Sequence, residues 1–99
     1  MRLSETSREV IRQAVMEIFG PDASVRLFGS RVNDDARGGD IDLLITSDTP
    51  IAEAEQKSLR LVARLQLKLG DQPIDVLVLD PLTPRQPIHF QALRQAVPI

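Results

Sequence analysis

The sequence predicts a mixed α/β domain, with a small three-stranded β-sheet flanked by helices in the order α-β-loop-β-α-β-α. Two observations predict it. Apolar residues recur at three- and four-residue spacing in two long segments, which is typical of amphipathic helices. Three short apolar runs of strand length lie between and after these segments. A chain of 99 residues is the size of one small domain, so we expect residues 1–99 to form a single domain.

The first helix is predicted over residues 4–19, with Ser4 as its N-cap and Gly20-Pro21 as its end. Both end signals have a physical reason, since the Ser4 side chain can accept from a free helix N–H and Pro21 cannot continue a helix. Its apolar stripe consists of Val10, Ile11, Ala14, Val15 and Ile18.

The second helix is predicted over residues 50–69, starting near Thr49-Pro50 and ending at Gly70. Leu59 and Leu67 fall off its main apolar stripe. They either cover a second layer of the protein or form a surface for a partner. A last short helix is predicted over roughly 88–96. The expected buried positions of the second helix are Ala54, Leu61, Val62, Leu65 and Leu69.

Three strands are predicted, at residues 24–28, 40–46 and 74–79. The segment between the second and third strands has the length of a crossover helix, which makes these strands parallel if they are neighbours. The apolar second half of 40–46 indicates a strand that is buried on both faces.

Composition argues against several classes of protein. The net charge of −2 and the lack of Trp and Tyr give little support for nucleic-acid binding, which usually needs a basic surface and stacking platforms. There is no cysteine, no apolar leader, and no apolar run of the roughly eighteen residues that a membrane helix needs. We therefore expect a cytoplasmic protein without a membrane segment.

The most informative stretch is GSRVNDDARGGDID, at residues 29–42. Asp40 and Asp42 are two residues apart at the start of a strand, so they point the same way. Asp75 lies near the start of the next strand, and it stands beside them if the strands are parallel neighbours. Gly29-Ser30 ends the first strand and reaches the same corner if that strand is antiparallel.

This arrangement predicts a metal and nucleotide site. Three adjacent carboxylates repel one another, and a hard cation such as Mg²⁺, which prefers oxygen ligands, removes the repulsion. Gly29 lets a phosphate approach the backbone, Ser30 offers a hydroxyl, and Arg31 offers a forked donor for phosphate oxygens. The predicted ligands are Mg²⁺ and a nucleoside triphosphate.

Other polar residues have plainer interpretations. Asp34 and Asp35 lie in a sequence typical of a solvated turn. Arg37 is either a second phosphate contact or a surface arginine. The single histidine, His89, lies far along the chain from the carboxylates and is expected to be a surface or packing residue.

The run LFGSRVNDDARGGDIDLLI, followed by Ile74-Asp75-Val76, resembles the nucleotidyltransferase superfamily that includes DNA polymerase β. Within it, the chain is similar to the minimal nucleotidyltransferases, which are commonly antitoxins paired with a HEPN-domain toxin. The resemblance covers nearly the whole chain and implies a nucleotidyltransferase fold. It implies that Gly29 and Ser30 hold the triphosphate and that Asp40 and Asp42 bind the metal ions.

The third carboxylate in this family completes the metal site or activates the attacking hydroxyl, and the matching residue is Asp75. The sequence departs from the commoner family form in one place. The gap from Ser30 to Asp40 is one residue shorter, and Gly39 stands where a serine often precedes the first aspartate. We therefore expect a tighter phosphate loop.

The resemblance implies a function: Mg²⁺-dependent transfer of a nucleotidyl group, AMP from ATP, onto a partner HEPN toxin within a hetero-oligomer. One alternative is a non-catalytic antitoxin that blocks a HEPN ribonuclease by binding it. A weaker one is transfer onto a small molecule, although relatives of that kind generally carry an extra domain.

Overall fold

The computed structural model describes residues 3–29 and 40–99. Within them the mixed α/β architecture that the sequence predicts is confirmed, and most boundaries fall within a residue of the predicted ones. The elements are α1 (Glu5–Phe19), β1 (Ala23–Phe28), β2 (Ile41–Ser47), α2 (Ala54–Leu69), β3 (Ile74–Leu79), α3 (Pro87–Gln95) and β4 (Val97–Pro98).

The strands form one mixed sheet in the order β3-β2-β1-β4. β1 runs antiparallel to β2, with Phe28 opposite Asp42. β2 and β3 run parallel, with Asp42 opposite Asp75, and α2 is the crossover between them. The end of β1 and the starts of β2 and β3 therefore meet at one edge of the sheet.

The prediction of three strands was short by one, because Val97–Pro98 adds a fourth strand next to β1. A two-residue strand is too short to show the period-two pattern by which strands are predicted. Its position is physically reasonable, since Pro98 has no N–H to donate and is best placed in a strand at the sheet edge.

The predicted start of the second helix was also wrong, since α2 begins at Ala54 rather than at residue 50. Glu53 has a left-handed backbone conformation, with φ of 56°, which a right-handed helix cannot contain. At the other end Gly70 closes the helix as predicted, and its N–H donates to the Gln66 carbonyl. Ser4 caps α1 as predicted, accepting from the Ser7 N–H at 3.1 Å.

The two faces of the sheet are packed differently. On one, here called the buried face, α1 and α2 cover the side chains of Leu27, Leu43 and Ile45, which are fully buried. On the other, the α3 face, a smaller cluster of Leu44, Leu79 and Ala92 packs under α3. Because strand residues alternate, Asp42 and Asp75 lie on the α3 face.

Two leucines on α2 remain uncovered. Leu59 is 70% exposed and Leu67 is 88% exposed, so they do not lie beneath a second layer of the described residues. Arg64, on the same helix, forms an ion pair with Glu17 of α1. No helix in the described ranges is both long enough and apolar enough to cross a membrane.

Candidate active site

The structure brings Asp40, Asp42 and Asp75 together at one edge of the sheet. Asp42 and Asp75 are each the second residue of their strands and are direct partners in the parallel register, while Asp40 immediately precedes β2. One carboxylate oxygen from each residue lies within 4.8 Å of the other two. The convergence predicted from strand alternation and the crossover is therefore present.

Gly29 lies directly against this cluster, and its fit there depends on the missing side chain. It follows Phe28, the β1 partner of Asp42, and has φ of +78°, a conformation that side chains with a Cβ rarely adopt. A Cβ built on Gly29 would lie 2.2 Å from Asp42 Oδ2. Any other residue would push the Asp42 carboxylate out of its position.

The electrostatics of the cluster centre on Asp42. The pKa of its carboxyl group is raised to about 6, first because partial burial penalises the charged form and then because the Asp75 and Asp40 carboxylates repel it. A hydrogen bond with Asp75 favours the protonated form further. Near neutral pH the cluster therefore concentrates negative charge that nothing among the described residues neutralises.

The donor set fits a hard divalent cation. Three carboxylates supply oxygen ligands only, which is the chemistry that Mg²⁺ prefers, and no softer nitrogen or sulfur ligand belongs to the cluster. Asp40 and Asp75 are exposed and Asp42 is half-buried, so an ion and its remaining water or phosphate ligands can reach them from solvent.

Two of the predicted nucleotide-binding residues, Ser30 and Arg31, lie outside the described residues, as does Arg37. Of the predicted phosphate loop, the structure describes Gly29 at one end and Asp40 at the other. His89 is buried, and its Nδ1 accepts from the Gln86 N–H at 3.0 Å at the start of α3. Of the two roles predicted for His89, surface or packing, its burial agrees with packing.

The sequence did not single out Asp80, which binds the segments that follow the parallel strands β2 and β3. Its Oδ2 accepts from the Ile51 N–H at 2.7 Å, and its Oδ1 accepts from the Leu82 N–H and the Thr83 hydroxyl, each at 2.9 Å. These bonds, the one from Ile51 above all, lower the pKa of the Asp80 carboxyl group. The sequence Asp-Pro-Leu-Thr is a turn signal of this kind.

Comparison with known proteins agrees with this geometry. The family model described as "Nucleotidyltransferase domain" matches residues 8–97. No sequence among curated proteins matches the chain.

Two solved structures have the same fold. One is the MNT antitoxin in complex with tri-AMPylated Shewanella oneidensis HEPN toxin, with a TM-score of 0.63 and 19% identity over 97% of this chain and 71% of that one. The other is a mutant of the toxin–antitoxin pair MntA–HpeT, with a TM-score of 0.62 and 20% identity over 91% of this chain and 69% of that one. Since the family model covers nearly the whole sequence, the chain belongs to the nucleotidyltransferase domain family.

Proposed function

We propose that this protein is a Mg²⁺-dependent nucleotidyltransferase that transfers AMP from ATP to a HEPN-type partner protein. The observation that carries the proposal is the meeting of Asp40, Asp42 and Asp75 beside Gly29. Three carboxylates from two neighbouring strand starts, packed against a glycine that leaves room for one of them, are what a cation site for a triphosphate requires.

In this proposal Asp40, Asp42 and Asp75 hold the cation. When bound, the cation would neutralise charge on the phosphates of ATP and so lower the barrier to displacement of pyrophosphate. Gly29, Ser30 and Arg31 would hold the phosphates from the other side. Backbone N–H groups near a glycine, a hydroxyl and a guanidinium are all suitable phosphate donors.

The chemical step would be a displacement at phosphorus. The acceptor hydroxyl oxygen attacks the α-phosphorus of ATP, and a new P–O bond forms. The bond from that phosphorus to the bridging oxygen breaks, and pyrophosphate leaves with the electron pair. The hydroxyl proton goes to Asp75 or, through it, to water, because Asp75 is the exposed member of the strand pair and can reach an incoming acceptor.

The choice of acceptor rests on the two structural neighbours. Both come from toxin–antitoxin pairs, and in one of them the HEPN toxin is tri-AMPylated, so that protein carries several AMP groups. Because that toxin carries several AMP groups, we include repeated transfer to one acceptor in the proposal. In the other neighbour, two aspartates with the same spacing as Asp40 and Asp42 are replaced by glutamate.

The test is to co-express the chain with a HEPN-domain toxin and to measure the intact mass of that partner. The wild-type chain should add AMP to the partner. Asp42→Asn should slow transfer by about two orders of magnitude or more, the scale of losing one group that stabilises the transition state. Asp22→Asn, a change at an exposed aspartate remote from the site, is the matched control and should transfer normally. Equal transfer by all three proteins would refute the site assignment.

A second candidate is a non-catalytic antitoxin, and the exposed Leu59 and Leu67 favour it, since they offer an apolar surface on α2 independent of the carboxylates. The triple variant with Asn at Asp40, Asp42 and Asp75 separates the two. If it still protects cells from the partner toxin, binding alone suffices. If protection is lost while the complex still forms on a sizing column, catalysis is required.

A further inference from the structure

A polar cavity lies on the α3 face, at the end of the strands opposite the carboxylates. Its volume is about 440 Å³, within the range of small-molecule sites. Thr46 of β2 and Leu79 of β3 line it from the sheet, and Leu93 lines it from α3. Arg26 and Arg85 line it from β1 and from the segment before α3.

The cavity is separate from the candidate active site. Asp42, Leu44 and Thr46 of β2 share the α3 face because strand residues alternate. Leu44, between the other two, is fully buried in the apolar cluster with Leu79 and Ala92. This cluster fills the surface of the sheet under α3, between the carboxylates and the cavity. A ligand in the cavity therefore does not contact the carboxylates and is not the nucleotide that is transferred there.

Arg26 carries a charge at a position where the sheet offers it no counterpart. It is half-buried in β1, and its cross-strand neighbours are Leu44 of β2 and Pro98 of β4, neither of which has a side-chain acceptor. Its guanidinium forms no hydrogen bond or ion pair within residues 3–29 and 40–99. Because a partly buried charge without a partner is costly, a bound anion would stabilise it.

Arg85 brings a second guanidinium to the same cavity, and it too has no partner in the described part of the chain. The nearby Asp80 supplies none, because its two oxygens already accept from the Ile51 and Leu82 N–H groups and from the Thr83 hydroxyl. Two guanidiniums with free N–H groups suit a phosphate group, whose terminal oxygens can accept from both at once.

The rest of the lining suits the organic part of a phosphate ester. The Thr46 hydroxyl and the exposed carboxylate of Asp48, which forms no ion pair among the described residues, can bind hydroxyl groups. Leu79 and Leu93 supply an apolar wall. The volume has room for on the order of ten water molecules, which is far more than an inorganic phosphate ion needs.

From this arrangement we infer that the cavity binds a small phosphomonoester, a nucleoside or sugar monophosphate, at a site separate from the candidate active site. Arg26 and Arg85 bind the phosphate group, and Asp48 accepts from hydroxyls of the sugar. The bound ligand links β1 to the segment before α3 and stabilises the folded protein by mass action. Neither an acceptor protein nor a cation takes part, so this binding is independent of the proposed function.

Binding is tested with AMP and ribose 5-phosphate, each titrated into the isolated protein in EDTA while backbone amide shifts are followed by NMR. Both should give saturable shifts at Thr46 and Leu93. The affinity should be about tenfold weaker in Arg85→Gln, the scale of losing a charge-assisted hydrogen bond. Arg60→Gln, at an exposed position on α2, is the control and should bind normally. Tighter binding of AMP than of ribose 5-phosphate would assign the site to a nucleotide, and equal binding to a sugar phosphate.

Three outcomes would overturn the assignment. One is that adenosine, which lacks the phosphate, binds as tightly as AMP. Another is that inorganic phosphate displaces AMP at equal concentration, which would show recognition of the anion alone. The third is that the AMP-induced shifts cluster around Asp42 and are lost in Asp42→Asn, which would place AMP in the candidate active site. We expect Asp42→Asn to bind AMP as the wild type does.

Thermal melting separates a role in binding from a role in the fold. Arg26→Met keeps an apolar stem and removes the guanidinium. Without AMP this variant should melt at the temperature of the wild type or higher, because a partly buried charge is removed and no polar contact of the described residues is lost. With AMP, only the wild type and Arg60→Gln should gain stability. A lower melting temperature of Arg26→Met without AMP would contradict the inference, as would an equal gain with AMP.

Discussion

The two faces of the sheet differ in what their side chains do. The buried face carries Leu27, Leu43 and Ile45, which are fully buried under two helices. On the α3 face, β1 carries Arg26, β2 carries Asp42 and β3 carries Asp75, and a single short helix packs on Leu44 and Leu79. Alternation along β2 places Leu43 and Asp42 side by side in sequence and on opposite faces in space.

The residues of the main core and the carboxylates of the candidate active site therefore lie on opposite faces of one sheet. Most of the buried apolar side chains occupy one face, and the smaller cluster of Leu44, Leu79 and Ala92 leaves the rest of the α3 face able to keep charged groups close together and partly exposed. A small domain has room for one main core, so packing on the buried face fixes the positions of the residues on the α3 face. Substitutions on each face test this division of roles.

The largest expected effect is on the buried face. Leu43→Ala should lower the free energy of unfolding by about 2–5 kcal/mol, because it removes a fully buried side chain and leaves a cavity. Leu77→Ala is the matched change on the α3 face, where the leucine is half-buried, and it should cost clearly less. Urea unfolding measures both, and equal losses would contradict the assignment of the core to one face.

The next effect is at the contact between β1 and the carboxylates. Gly29→Ala should destabilise the fold by about 1–3 kcal/mol through its positive φ, and it should also displace the Asp42 carboxylate and weaken cation binding. Gly20→Ala is the control, since Gly20 has φ of +91° but nothing within 4 Å of a Cβ. The Gly20→Ala variant should be less stable than the wild type and should bind the cation as well as the wild type does. If both variants bind the cation as the wild type does, the contact with Asp42 has no functional role.

A smaller effect concerns pH. Because the pKa of Asp42 is raised to about 6, this group stabilises the folded protein fully below its ordinary pKa near 3.8, and the contribution is lost as pH rises through 6. In EDTA the melting temperature should therefore fall between pH 5 and 7.5 through this group. Asp42→Asn should reduce that fall and raise the melting temperature at pH 7.5, whereas Asp22→Asn should not. A pH profile identical in all three proteins would contradict the account.

Much of this site follows from the sequence. The convergence of Asp40, Asp42 and Asp75 could be predicted because strand alternation and the length of a crossover are properties of local sequence. The close approach of Gly29 to Asp42 could not, since it depends on which β1 residue pairs with Asp42, and register is set by the whole sheet.

The remaining differences have similar causes. β4 is too short to leave a pattern, and the late start of α2 depends on a single left-handed residue, Glu53. A cavity at the end of the strands opposite the carboxylates is lined by Arg26 and Arg85, which are far apart in sequence, and the only local signal for it was an arginine within β1. Local patterns predict the elements, whereas contacts between distant segments require the structure.

The most direct test of the central claim is the binding of Mn²⁺, as a spectroscopic substitute for Mg²⁺, measured by electron paramagnetic resonance in the presence of ATP. The informative variant is Asp75→Asn, because Asp75 lies on β3 whereas Asp40 and Asp42 lie at the start of β2, and Asp71→Asn at an exposed position before β3 is its control. We expect Mn²⁺ to bind equally well to the wild type and to Asp71→Asn, and at least about tenfold more weakly to Asp75→Asn. Binding of equal strength in all three proteins would contradict it.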